Sequence, residues 1–137
     1  MELVRGLNNL RPEHRGCVLT IGNFDGVHQG HQAILRQVAH KAENTGLPAA
    51  VMTFEPQPLE FFLREKAPAR LTRLREKLIL LAKYGTQRVV CLNFNAALQE
   101  YECERFVKEI LVDLLGVAHV VVGDDFRFGK NVEGDFS

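Results

Sequence analysis

The sequence predicts an α/β fold built on a doubly wound parallel sheet, and three observations carry that expectation. Short runs rich in Val, Ile and Leu alternate with longer segments whose apolar residues recur at helical spacing. The short runs are almost continuously apolar, as strands buried on both faces must be. Glycine or proline marks most of the joints between the two kinds of segment. With 137 residues, 46% of them hydrophobic and 25% charged, the chain can bury one core, so a single domain over residues 1–137 is expected.

The first strand is GCVLTIG, Gly16 to Gly22, β-branched and ended by glycine. It enters a glycine-rich loop, after which Ile34, Leu35, Val38, Ala39 and Ala42 mark a helix that starts near His31 and stops at Gly46 and Pro48. Leu47 to Phe54 is the second strand, terminated by the alternating prolines of EPQP. Thr72 is the candidate N-cap of a second helix carrying Leu74, Leu78, Ile79, Leu81 and Ala82 and closed by Gly85. Arg88 to Phe94 is the third strand. Glu104 to Gly116 repeats the helical pattern with Phe106, Val107, Ile110, Leu111, Leu114 and Leu115, though EYEC before it lacks a serine or threonine cap. Val117 to Gly123 is the fourth strand, read as buried. The basic residues Arg70, Arg73, Arg75 and Lys77 of RLTRLREK are expected on a solvated helix face.

Net charge is zero, so no global positive field points to nucleic acid or to an anionic membrane, and any anion must be held locally. Cys17, Cys91 and Cys103 are odd in number and form no CxxC pair, which reads as packed thiols in a reducing cytoplasm. The N-terminus lacks a signal-like apolar region, and no apolar run is long enough to span a bilayer.

In open parallel sheets ligands bind beyond the carboxyl ends of the strands. Three loops fall there: GNFDGVHQGH, EPQP and GDDFRFGKNVEGD. In the first, Gly22, Gly26 and Gly30 let the backbone approach a bulky anion, and the following helix aims free N–H groups and its positive dipole end at the same place. A phosphate is the natural guest. His28 and His31 stand at the helix entry, where imidazole can donate hydrogen bonds to oxygens that gain charge during phosphoryl or nucleotidyl transfer. The loop matches neither GxGxxG nor GxxxxGK[ST]. A zinc site and a purely structural turn are the competing readings, but no carboxylate or cysteine lies at metal-motif spacing, and no metal-ligating residue is assigned. By itself TFEPQP reads as a strand end and rigid turn, and the acidic pair of GDDFRFG as a solvated turn.

The string GNFDGVHQGH resembles the HxGH signature of the nucleotidyltransferase superfamily. Followed in order by TFEPQP, RLTRLREK and VVGDDFRFGKNVEGD, it resembles more specifically the N-terminal FMN adenylyltransferase module of bacterial bifunctional riboflavin kinase/FAD synthetases, from about Gly16 to Asp135. The resemblance implies a Rossmann-like nucleotidyltransferase fold, ATP and FMN as substrates, and magnesium. It implies that His28 and His31 stabilise the ATP phosphates and the transition state. Gly22, Asn23, Phe24, Asp25, Gly26 and Gly30 would shape the ATP site, with Asp25 fixing the loop through backbone N–H groups. Phe54, Pro56, Pro58 and Phe62 would wall the flavin site, with at least one phenylalanine of Phe54, Phe61 and Phe62 in the core. Asp125 would contact the flavin nucleotide or its magnesium, with Phe126, Arg127 and Phe128 beside it.

Members of that family continue past this segment to an ISSTxIR-type phosphate motif and then to a C-terminal riboflavin kinase domain. The chain, ending at Ser137, is therefore expected to be a C-terminally truncated fragment, without the kinase domain, with weakened ATP binding and at most trace turnover by itself. Two other functions stay open on the residues: a nucleotidyltransferase with a different acceptor, and a flavin- or nucleotide-binding domain without catalysis.

Overall fold

The structure, a computed structural model, describes residues 1–22, 24, 27, 29–55, 74–93, 103–122, 127–128 and 134–135. Its frame is a parallel sheet of β1 (Glu2–Arg5), β2 (Cys17–Ile21), β3 (Ala49–Phe54), β4 (Arg88–Leu92) and β5 (Val117–Val121), in the order β1-β4-β3-β2-β5. Helix α1 (Gln29–Thr45) connects β2 to β3, and α2 (Leu74–Lys83) lies between β3 and β4. Helix α3, between β4 and β5, is α-helical over Cys103–Phe106 and continues as a π-helix over Val107–Leu114. A two-stranded antiparallel ribbon, β6 (Arg127–Phe128) with β7 (Gly134–Asp135), follows.

The order of the strands explains the layers. From β2 the chain steps outward to β3 and β4, then crosses back to place β5 on the other side of β2. Right-handed crossovers in opposite directions put their helices on opposite faces. Accordingly Leu35 and Leu81, from α1 and α2, pack with Val51 and Val89 on one face. On the other, Phe106, Ile110, Leu111 and Leu115 pack with Leu19, Ile21, Met52, Phe54, Val90 and Leu92. The doubly wound expectation holds.

Four features differ from the sequence reading. The sheet has a fifth strand, β1, at the N-terminus. Val117–Val121 is an edge strand with Ala118, His119 and Val120 exposed, not a strand buried on both faces. In α3 the wider π winding brings Phe106, Ile110, Leu111 and Leu115 to the core and turns Leu114 outward, where an α-helix would have buried it. Lys77 is fully buried, whereas Arg75 is exposed as a solvated face requires. Arg70, Thr72 and Arg73 lie outside the described residues. Cys17 and Cys91 are buried and reduced, as packing thiols should be, and burial pushes the Cys17 thiol up to about 11.

A polar clasp fixes β1 to the sheet. The Glu2 carboxylate accepts hydrogen bonds from Arg88 Nε at 2.9 Å and from His14 Nε2 at 3.1 Å. The Arg11 backbone N–H can only donate, so His14 Nδ1, 2.9 Å away, is its acceptor and the ring proton sits on Nε2, facing Glu2. Arg88 and then His14 hold the Glu2 carboxyl below its ordinary range. A depressed folded-state pKa contributes stability above the ordinary carboxylate range and loses it as pH falls through the folded value. Glu2→Gln is therefore expected to destabilise the protein at neutral pH, with the difference from wild type vanishing under acidic conditions, as followed by urea unfolding across a pH series.

Candidate functional site

Register sets the carboxyl ends of three strands side by side. Thr20 of β2 lies between Val51 of β3 and Val121 of β5, so the chain leaves all three strands at one carboxyl edge. Between β2 and β5 the strand order reverses, which is where open α/β sheets bind ligands. The loop entered at Gly22 starts at this switch point, with the end of β5 on one side and Glu55, just past the end of β3, on the other.

The described part of the first loop is shaped by two residues driven downward. Phe24 and Val27 have φ of 54° and 42°, a left-handed conformation that side chains of this bulk rarely adopt. Both side chains are buried in the cluster of Leu35, Val51, Leu81 and Val89, and that burial holds the strained backbone. Gly22 makes room for it: a Cβ there would lie 3.0 Å from the Phe24 ring. Its N–H donates to Met52 O at 3.0 Å, locking the loop's start to β3. Gly22→Ala should therefore push the Phe24 ring aside and destabilise the fold by about 1–3 kcal/mol, measurable by chemical denaturation.

Helix α1 opens with Gln29, Gly30 and His31, two residues earlier than the sequence suggests, and carries no acidic residue in its first turn to compete for an anion. Gln32 Nε2 donates to Val27 O at 3.1 Å and ties loop to helix. The half-buried His31 ring packs against Phe24, centroids 4.9 Å apart and planes at 51°. Gly30 is exposed at the same helix entry.

Of the residues expected to form the site, Gly22, Phe24, Gly30 and His31 are thus gathered at the switch point. Asn23, Asp25, Gly26, His28, Pro56, Pro58, Phe61, Phe62, Asp125 and Phe126 lie outside the described residues. Phe54 is placed in the core with Leu92 and Phe106, on the sheet face opposite Phe24. Arg127 and Phe128 form β6, whose backbone pairs with Asp135 and Gly134.

Sequence reasoning missed two features at this edge. Lys77 is one, and its signal was present: Leu74, Lys77, Leu78 and Leu81 fall on one helical stripe. The other is a cleft of about 210 Å³ lined by Arg5, Gly6, Glu55, Cys91 and Asn93, which exists only because β1 extends the sheet. A wider groove of about 600 Å³, lined by Ala39, Ala42, Leu47, Pro48 and Gln87 among others, sits at the opposite, amino end of β3 and β4, away from the switch point.

Fold and loop together define a doubly wound α/β domain in which a glycine-rich loop opens a helix at the switch point. A structure of a macrolide-efflux protein from Streptococcus pneumoniae has this fold, with a TM-score of 0.81 over 98% of this chain and 45% of its own, at 22% identity. The family model described as FAD synthetase matches residues 10–137, and the chain belongs to that family. It is 57% identical, over 99% of its length, to a bifunctional riboflavin kinase/FMN adenylyltransferase of Pseudomonas fluorescens, and 52% identical to that of Escherichia coli K12. The chain spans 43% and 44% of the length of those two relatives.

Proposed function

We propose that residues 1–137 belong to an FMN adenylyltransferase domain, which in the intact protein transfers the adenylyl group of ATP to FMN to give FAD and pyrophosphate. The observation that carries the reading is the glycine-histidine loop at the β2/β5 switch point of a chain in the FAD synthetase family. The relatives are bifunctional, so a C-terminal riboflavin kinase domain is the expected covalent partner, and a reducing cytoplasm, where buried free thiols persist, is the expected compartment.

In this reading an oxygen of the FMN phosphate attacks the α-phosphorus of ATP. The bond from that phosphorus to the β-phosphate oxygen breaks, and pyrophosphate leaves with the electron pair. The nucleophile is already an anion, so the protein's task is to align two polyanions and neutralise charge. The N-terminus of α1 faces the phosphates with N–H groups, and His31, braced by Phe24, donates a hydrogen bond to an oxygen that gains charge. His28 acts beside it. Gly22 and Gly30 keep the backbone low, Asn23 and Gly26 complete the ATP loop, and Asp25 fixes it. Pro56, Pro58, Phe62, Phe126 and Phe128 wall the flavin, Phe54 backs that wall from the core, and Asp125 and Arg127 meet the polar end of FMN.

Magnesium enters with the nucleotide. Among the described residues no group of three His, Cys, Asp or Glu could cage an ion, and a magnesium held chiefly by phosphates and water needs no such cage. Asp125 is its candidate protein contact. When bound, the ion neutralises phosphate charge.

The acceptor is tested by offering ATP and magnesium with FMN, phosphopantetheine or nicotinamide mononucleotide in parallel to the intact protein. FAD formed from FMN, with no pyrophosphate release from the other two, is the expected result. Pyrophosphate release with another acceptor would identify a different nucleotidyltransferase, and FMN binding without release a non-catalytic flavin domain.

A further inference from the structure

Thr20 is a polar residue of the switch point that the reading above leaves unused. Its side chain is fully buried, and among the described residues Oγ1 finds no hydrogen-bond partner. A buried hydroxyl left unpaired costs free energy, and valine has the same shape without that cost. The residues beside it on the sheet are themselves valines, Val51 on β3 and Val121 on β5. Packing alone therefore favours valine at position 20 and does not account for a threonine.

Its place in the fold does. Strand alternation puts Thr20 on the same face as Val18, beneath α1. Helix α1 runs back along β2: Val38 and Ala42 pack with Val18 and Ala49, and Leu35, one turn nearer the helix start, packs with Val51, the residue beside Thr20. His31 precedes Leu35 by four residues, so it stands on the same side of α1, one further turn toward the loop. A helical turn of about 5.4 Å and two strand residues of about 6.7 Å keep helix and strand in step. His31 accordingly sits over the end of β2, with Thr20 one step further in. The His31 ring lies against Phe24, which is buried in the Val51 cluster, and its Nδ1 is shielded from solvent.

We propose that Thr20 is a positioning residue of the phosphate site: its hydroxyl donates to the inward nitrogen of His31 when polyphosphate binds. A neutral imidazole that accepts at Nδ1 carries its proton on Nε2, on the opposite side of the ring, where it can be donated to a phosphate oxygen. The proposal deepens the adenylyltransferase reading and rests on it for the identity of the substrates. Thr20 touches no substrate in this scheme; it acts only through His31. The threonine is kept at some cost in packing because the hydroxyl orients the donor.

The test uses the intact protein and a double-mutant cycle of Thr20→Val and His31→Phe, with Thr20→Ser as the variant that keeps the hydroxyl. Unfolding midpoint, KM and kcat for FAD formation, and calorimetric affinity for inorganic pyrophosphate with magnesium are measured for each. Thr20→Val is expected to leave the midpoint at or above that of the wild type and to lower kcat about tenfold, the scale of one hydrogen bond, with a smaller change in KM for FMN. Thr20→Ser should keep most of kcat. In the His31→Phe background, Thr20→Val should cause no further loss, because the group it acts through is gone. Wild-type kcat in Thr20→Val overturns the proposal, and so does an equal fold-loss with and without His31. If Thr20→Val does not fold, Thr20→Ala takes its place in the same cycle. A protein that forms no FAD but binds pyrophosphate, with an affinity that Thr20→Val weakens only when His31 is present, supports the role of Thr20 and overturns the choice of FMN as acceptor. A wild-type protein that neither forms FAD nor binds pyrophosphate overturns both.

Discussion

Replacing His31 by alanine is expected to lower the rate of FAD formation by about two to three orders of magnitude, the range typical of removing one preorganised donor from a developing oxyanion. The protein should stay folded. The half-buried His31 ring packs against Phe24, and an aromatic pair of that kind is worth about 1 kcal/mol. His31→Phe separates the two roles, since it keeps a ring against Phe24 and removes both nitrogens. It should match the wild type more closely in thermal midpoint than His31→Ala does and still lose turnover. His28→Ala should cause a comparable loss, and the double variant should fall short of the product of the two, because both groups act on the same phosphate oxygens. Steady-state kinetics with FAD quantified by chromatography reads all four. Wild-type turnover in His31→Phe would remove His31 from the chemistry.

Phe24→Ala should have the largest effect on stability. The ring is 2% exposed, packs in the cluster of Val27, Leu35, Val51, Leu81 and Val89, and contacts His31. Truncating a buried phenylalanine costs about 3–5 kcal/mol, from lost transfer energy and the cavity left behind. A second consequence is specific to this site. Phe24 holds a left-handed backbone in place, and alanine at φ 54° is strained without the burial that offsets the strain. The loop should then open even where the fold survives, so turnover at low temperature should fall further than the folded fraction does. Urea denaturation beside kinetics at 10 °C measures both. A destabilisation under 1 kcal/mol would mean that the ring does not support the loop.

The contrast between Phe24 and His31 shows which parts of the site were legible in the sequence. Three glycines and two histidines between a strand and a helix pointed to an anion loop by composition alone, because glycine and a helix N-terminus act through the backbone. Phe24 read as a wall of the pocket. Its descent beneath the loop depends on a positive φ at a non-glycine residue, which no local pattern predicts. Lys77 was visible as an apolar-stripe position occupied by a charge, but lysine on a helix is usually solvated, and the approach of Thr53 from β3 to its ammonium leaves no trace in the local pattern.

The fold divides in the same way. Strands β2 and β3 are short apolar runs bounded by glycine or proline, β4 is a short apolar run shortly after Gly85, and their reading needed nothing beyond the sequence. Strand β1 has only the four residues ELVR, with a charge at each end, and its place is set by Arg88, 86 residues away from Glu2. Long-range polar contacts leave no local trace. The π winding of α3 was hidden for another reason: Phe106, Ile110 and Leu111 serve either helix, and only the outward turn of Leu114 separates them.

Transfer of the adenylyl group itself is the claim on which the rest depends. The most direct measurement supplies the intact protein with magnesium, FMN and ATP labelled only at the α-phosphate, and follows the label by chromatography. The account predicts that label appears in FAD in step with consumption of FMN and that the pyrophosphate released carries none. Label retained in ATP or released as AMP, with FMN unchanged, would contradict it.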